Sequence, residues 1–287
     1  EVIGFVGMGA QRWLDLGFIS IQPSEVMKVT LILALARYFH GLTLEEVSRL
    51  RNLLVPLALV GTPVGLVVLQ PDLGTAILLI ATGGVLFFSA GLRWRYFIFA
   101  GAAVLAAIPV IWSRLHDYQR NRVFTFLDPE RDPLGTGYHI LQSKIALGSG
   151  GIFGKGFMEG TQSQLNFLPE KHTDFIFTML GEELGLVGGI VLLTLYFIVL
   201  MFSLNVALQC RNQFGRLVAI GVSMTFFFYV FINTAMVMGL LPVVGVPLPL
   251  VSYGGTAMLS LMFAFGLLMS VYIHRNLEIS RGPSAFW

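Results

Sequence analysis

LPEKHTDFIFTMLGEELGLVGGIVLLTLYFIVLMFSL, residues 168 to 204, sets six ionisable side chains directly against a long apolar run. One straight helix over the 32 residues from Thr173 to Leu204 would reach roughly 48 Å at about 1.5 Å per residue, overshooting a hydrocarbon core of ~30 Å. The membrane span is therefore expected to begin near Leu184. TDFIFTMLGEE then forms an outer helical piece, with Thr173 or Asp174 near its start and Gly181, Gly185, Gly188 and Gly189 as places to bend. Glu182 and Glu183 read as markers of the water boundary. Asp174 differs, because FIFTML follows it at once and lays its carboxylate against apolar surface. A helix cap and a reacting group both fit that position.

The rest of the chain agrees with a membrane setting. Of its 287 residues, 55% are hydrophobic and only 12% charged, against roughly 25% charged in soluble domains, and the mean hydropathy is +0.78. The formal net charge of +2 is spread along the chain, so no basic stripe for nucleic acid is present. The single cysteine, Cys210, excludes an intrachain disulfide and a cysteine metal cluster. The chain opens at Glu1 without methionine or a secretory signal pattern, and residues are expected to be missing before it.

Seven stretches approach the roughly 20 apolar residues a span requires, near 24–40, 53–69, 73–90, 96–112, 184–204, 216–240 and 254–273. The expected fold class is all-α, a polytopic helical membrane protein with seven visible transmembrane helices. It is read as one membrane domain over 1–287, carrying a large loop with interfacial helices over 113–173. The first span is the weakest, because only VTLILALA separates Lys28 from Arg37. Arginine placement orients the set, since positive residues in short loops stay cytoplasmic. Arg37, Arg49 and Arg51, then Arg93 and Arg95, then Arg211 and Arg216, then Arg275 and Arg281 follow the odd-numbered spans. The alternate short connections, LQPD at 69–72 and LPVVGVPLPLVSYGG at 241–255, contain no lysine or arginine and read as external.

Polar residues collect on that external side. Glu25 and Lys28 lie three apart in the outer turn of the first span and can pair. They also read as a Ser24-capped helix start with Lys28 snorkelling outward. Asp72 reads as the cap of the helix beginning at Leu73. The proline- and glycine-rich 241–255 segment reads as a tight turn or a cavity wall, since irregular backbone at membrane depth must be buried in protein or line a cavity. GSGGIFGKGF at 148–157 invites comparison with a P-loop and fails it, having Ser149 for the first glycine and Gly156 after Lys155. It reads as a flexible turn between stretches lying on the membrane. YQRNRVFTFLDPERDP at 118–133 suggests an interfacial helix ending at Asp128-Pro129.

GAQRWLDLGFISIQPSEVMKV, QPDLGTA, YQRNRVFTFLDPERDPLGTGYHILQSKIALGSGGIFGKGF, GTQSQLNFLPEKHTDFIFTMLGEELGLVG and LPVVGVPLPLVSYGG, in this order, resemble the bacterial SEDS family. GYHILQSKIALGSGG followed by GTQSQL resembles its rod-shape members more than its division members. The resemblance implies a ten-helix fold, of which some three leading spans are not visible here. It also implies a peptidoglycan glycosyltransferase on the outer face of the cytoplasmic membrane, polymerising lipid II, a disaccharide-pentapeptide on undecaprenyl pyrophosphate. Expected partners are a class B penicillin-binding protein transpeptidase, the elongation machinery and membrane lipids. By resemblance Asp174 is essential for polymerisation, Glu25 and Lys28 match a QPSExxK motif, and Asp72 matches QPDLGT.

The implied chemistry suits the external placement. A sugar 4-hydroxyl attacks an anomeric carbon and displaces a pyrophosphate, so one general base can suffice where an inverting glycosidase also needs an acid. Asp174 is the expected base. Lys28, Arg12 and Lys144 are candidates for the pyrophosphate, and His172 is placed beside Asp174 at the substrate. A divalent cation, Mg or Mn, could serve the same charge, and no organic cofactor is expected. Two further readings stay open, a lipid II flippase and a scaffold for the penicillin-binding protein. Polar residues confined to one side favour the enzyme, because transport would call for polar residues at mid-membrane depth in both halves.

Overall fold

The computed structural model describes residues 5–7, 10–15, 20–114, 120, 124–126, 128, 136–164 and 172–280. All seven apolar stretches are helices: α1 (Pro23–His40), α3 (Leu50–Leu69), α4 (Leu73–Ser89), α5 (Trp94–Arg114), α8 (Ile176–Gln209), α9 (Gln213–Val237) and α10 (Gly255–Ile273). Short helices α2 (Leu44–Val47), α6 (Thr136–Ser149) and α7 (Thr161–Gln164) connect them. By length and composition α3, α8, α9 and α10 can each cross a membrane, while Leu73–Ser89 and Trp94–Pro109 are shorter apolar helices. A small antiparallel meander, β1 (Phe5–Gly7), β2 (Ala10–Asp15) and β3 (Ser20–Ile21), precedes them and was not anticipated. Its registers pair Gly7 with Ala10 and Asp15 with Ser20. The interfacial helix expected to end at Asp128-Pro129 falls mostly outside the described residues; Arg120 donates to the Trp112 and Ser113 carbonyls.

Local chemistry explains several helix ends. Gln22, not Ser24, is the N-cap of α1, because Pro23 takes the first helical position, where its missing N–H leaves nothing unsatisfied. Asp72 caps α4 as expected, accepting from the Thr75 N–H at 3.1 Å and the Thr75 hydroxyl at 3.0 Å. Within α8 the break falls at Gly185 (φ 66°, ψ −163°), one of the four glycines where a bend was expected.

The chain divides into two compact units. One comprises Glu1–Trp94, Val199–Phe228 and Gly254–Trp287. In it α1 packs on α3, α4 and α10, around fully buried Ile32, Leu35, Phe39, Leu79 and Leu86. Gly221 of α9 admits α1 and α4 closely, for a Cβ there would lie 2.6 Å from Ile32 Cγ2 and 3.3 Å from Leu86 Cδ2. One turn on, the Thr225 and Thr82 hydroxyls meet at 3.0 Å, joining α9 to α4 by a buried polar contact. Cys210 is buried between α8 and α9, and that burial pushes its thiol up, away from the reactive thiolate.

The second unit comprises Arg95–Ile198 and Tyr229–Tyr253. Its centre is a polar knot. The Ser143 hydroxyl of α6 meets the Thr178 hydroxyl of α8 at 2.7 Å and donates to the Val237 carbonyl of α9 at 2.8 Å. Ser143 and Thr178 are both fully buried. Three helices are thus fixed to one another through one side chain.

Candidate active site

Asp174 lies in the turn 172–175 ahead of α8, half-buried, with His172 exposed at the start of the same turn. Three successive carbonyls of this turn are caught from outside it. Tyr253 N–H donates to His172 O at 2.8 Å, the Ser252 hydroxyl to Thr173 O at 2.6 Å, and the Asn233 amide to Asp174 O at 2.8 Å. An irregular turn of this kind has no helical partners for its carbonyls. External donors therefore fix its backbone, and with it the origin of the Asp174 side chain.

The donors come from α9 and from the proline- and glycine-rich segment after it. Asn233, fully buried on α9, also donates to the Val246 carbonyl at 2.7 Å. Ser252 Oγ accepts from the Leu248 N–H at 2.7 Å, and the Tyr196 hydroxyl of α8 donates to Pro249 O at 2.6 Å. Val246 and Leu248 are buried. So the 241–255 segment is neither a bare turn nor a helix but a wall packed against the Asp174 turn. Gly245 stands at its inner edge with φ 72°, and a Cβ there would come within 3.4 Å of Asp174 Oδ2. From the other side Phe175 meets the His139 ring of α6, 6.3 Å between centroids.

Lys144 is exposed on α6, next to the Ser143 knot, and its Cε and Nζ pass over Gly239, where a Cβ would lie 2.4 and 2.8 Å from them. Asp174, His172 and Lys144 therefore belong to one unit. Glu25, Lys28, Asp72 and Arg12 belong to the other. There the Lys28 ammonium reaches Glu25 Oε1 at 2.6 Å with both side chains nearly inaccessible, 4% and 7% exposed. That corrects the snorkelling reading: a lysine on the buried face of α1 cannot reach the interface and neutralises its neighbour instead. Arg12 lies on β2, and its side chain falls outside the described residues. Among the described residues, no group of three His, Cys, Asp or Glu side chains is placed to hold a metal ion.

Glu182 also corrects an expectation. It is no boundary marker but fully buried, accepting from Lys155 Nζ at 2.8 Å, the Thr161 hydroxyl at 3.1 Å and the Gln162 N–H at 3.0 Å. A carboxylate next to an apolar run had read as solvated, and only the distant loop that covers it reverses this. Asn233, Ser252 and Gly245 are further members of the site that the sequence reading does not name. For Asn233 the signal was an amide inside an apolar helix, a position that needs polar partners.

The FTSW_RODA_SPOVE family model, described as Cell cycle protein, matches residues 1–277. The chain is 52% identical over 278 residues to the peptidoglycan glycosyltransferase MrdB of Escherichia coli K12, covering 96% of this chain and 75% of that protein. Its fold is similar to a chain of a peptidoglycan synthase complex solved to show structural coordination of polymerization and crosslinking. There the TM-score is 0.82 at 36% identity, with 96% of this chain and 77% of that one covered. The Rod shape determining protein RodA of Thermus thermophilus matches with a TM-score of 0.67 at 29% identity, over 96% of this chain and 74% of that one.

Proposed function

The chain belongs to the FtsW, RodA and SpoVE family of cell cycle proteins, and on that footing we propose that it is a peptidoglycan glycosyltransferase serving cell elongation and rod shape. It is an enzyme of a multi-pass membrane protein family. Its substrate in this reading is lipid II, and its partner a class B penicillin-binding protein that crosslinks the glycan within the elongation machinery. The arginine asymmetry of the short loops supports chemistry on the outer face.

The observation that carries the reading is the Asp174 turn, whose three carbonyls are each held by a donor from another segment. Asp174 is the base. Its carboxylate takes the proton of the acceptor 4-hydroxyl as that oxygen bonds to the donor's anomeric carbon. The bond from this carbon to the pyrophosphate oxygen breaks, its electron pair leaves on the lipid pyrophosphate, and configuration inverts. Holding the base so that it need not reorganise is what rigid positioning contributes. Gly245, with no side chain, keeps a methyl from standing 3.4 Å from Asp174 Oδ2.

Lys144 is the cation assigned to the leaving pyrophosphate in the same unit. Lys28 is engaged with Glu25, so that pair is given the role of holding substrate-side structure; Arg12, Asp72 and His172 remain substrate-binding candidates. A Mg or Mn ion would arrive as a companion of the pyrophosphate, as Mg²⁺ commonly does with substrate phosphates. Among the described residues no group of three His, Cys, Asp or Glu side chains offers it a cage.

The test uses the full-length protein purified with its penicillin-binding partner, labelled lipid II and a divalent cation, with the transpeptidase blocked. Asp174→Asn is expected to lower glycan formation by about 10²- to 10⁴-fold, the usual worth of a positioned base, while the complex stays folded. Near-normal polymer from the variant would remove Asp174 from the chemistry. No polymer from folded wild-type complex would move the assignment to lipid II transport or scaffolding.

A further inference from the structure

The segment between α6 and α7 carries a device that the reaction does not use. Its main chain docks on the break in α8. The N–H groups of Lys155 and Gly156 donate to the Glu182 and Glu183 carbonyls at 3.0 and 3.1 Å, while those of Leu186 and Val187 donate to the Gly151 and Ile152 carbonyls at 3.0 and 3.1 Å. A helix interrupted at Gly185 leaves carbonyls without partners before the break and N–H groups without partners after it. This loop supplies both sets.

Such an approach is open only to glycine. A Cβ would lie 2.0 Å from Gly181 O at Gly150, 2.1 Å from Glu183 O at Gly154, and 2.3 Å from Gly154 N at Gly185. Gly150 and Gly154 of the stretch that imitates a P-loop are therefore there for backbone contact. Lys155, the one cation of the turn, points inward onto the buried Glu182 carboxylate.

With polar main chain and charge directed inward, the turn presents apolar side chains outward. Ile152 is 61% exposed, Phe153 82%, Phe157 78% and Met158 66%. Four exposed apolar side chains within one eight-residue turn mark an interaction surface. It adjoins the membrane-crossing part of α8, where Leu186, Ile190 and Val191 are likewise exposed. Irregular backbone is tolerated at membrane depth only where its polar groups are satisfied within the protein, and the hydrogen bonds to α8 meet that requirement.

We infer that the 151–158 turn is a membrane anchor, with Ile152, Phe153, Phe157 and Met158 seated among bilayer lipids at the boundary between headgroups and acyl chains, alongside α8. Exposed Glu159 then lies at the aqueous edge. The lipid contact tethers the loop that covers Glu182, and it does not depend on which reaction the protein catalyses.

The test places nitroxide labels at Phe153→Cys, Phe157→Cys and Glu159→Cys in a Cys210→Ser background, with the full-length protein in lipid nanodiscs. Accessibility to oxygen, which partitions into lipid, is compared with that to a water-soluble nickel chelate. Oxygen is expected to dominate at 153 and 157 by several-fold and nickel at 159; nickel dominance at 153 and 157 overturns the proposal. Since a label can displace the turn, hydroxyl-radical footprinting of the unlabelled protein provides a second reading. Phe153 and Met158 are expected to be modified several-fold less in nanodiscs than in a proteolytic peptide of the same sequence, and equal modification overturns the proposal.

Discussion

Asn233 and Asp174 are joined at 2.8 Å, the amide of one donating to the main-chain carbonyl of the other, while the same nitrogen serves Val246 at 2.7 Å. One fully buried side chain on α9 thus ties the turn that carries the proposed base to the wall facing it. The amide's two hydrogens go to two segments far apart in sequence, so its loss releases both.

Asn233→Ala should therefore destabilise by about 1–3 kcal/mol for each buried carbonyl left without a donor, and lower the polymerisation rate further than the stability loss explains. Thermal unfolding of the purified complex, set beside initial rates on lipid II, separates the two effects. Unchanged rates in a folded variant would show that the Asp174 turn is held without Asn233.

Gly245→Ala probes the opposite side of the carboxylate. At φ 72° an L side chain costs roughly 1–2 kcal/mol, and the new methyl would stand 3.4 Å from Asp174 Oδ2. A drop in rate on the order of tenfold is expected, since small misplacements near reacting atoms have effects of that size. Lipid II binding, measured by labelled-substrate titration, should change little.

The Lys155–Glu182 pair predicts an asymmetry. Removing one member of a buried pair costs about 3–5 kcal/mol, and because Lys155 is 27% exposed the effect here should fall at or below the lower figure. Lys155→Met takes away the cation paired with the fully buried Glu182 carboxylate, while the Thr161 hydroxyl and Gln162 N–H still donate to it. Limited proteolysis should then cut within 150–164 faster than in wild type. Adding Glu182→Gln should restore part of the protection; no restoration would mean the pair is not what holds the loop.

For Glu25 and Lys28, 2.6 Å apart, a Glu25→Gln and Lys28→Met cycle scored for folding and for activity distinguishes their roles. Each single variant is expected to be less stable than the double, because each breaks a buried ion pair while keeping one of its charges. Activity that falls in the double while stability recovers would assign the pair to substrate, and recovery of both would assign it to packing alone.

Much of this protein was legible from its residues. Apolar runs of near-bilayer length determined seven helices, because backbone in lipid has to satisfy its own hydrogen bonds within each segment. The arginine alternation supplied an orientation, Asp72 announced itself as a cap, and the length of 173–204 required a bend that Gly185 provides. Motif order led to the family and to Asp174. Those signals are local, carried by composition, spacing and single-residue backbone preference.

Tertiary structure decided what depends on distant partners. Glu182 beside an apolar run is a boundary residue by pattern, and becomes a buried anion only because Lys155, Thr161 and Gln162 fold over it. Lys28 could have snorkelled, but the packed face of α1 turns it onto Glu25. GSGGIFGKGF read as a flexible turn until the α8 backbone it docks against was in view. Burial and hydrogen-bond pairing between segments far apart in sequence leave no periodic trace. For that reason Asn233, held to Asp174 across 59 positions of chain, emerged only from the folded molecule.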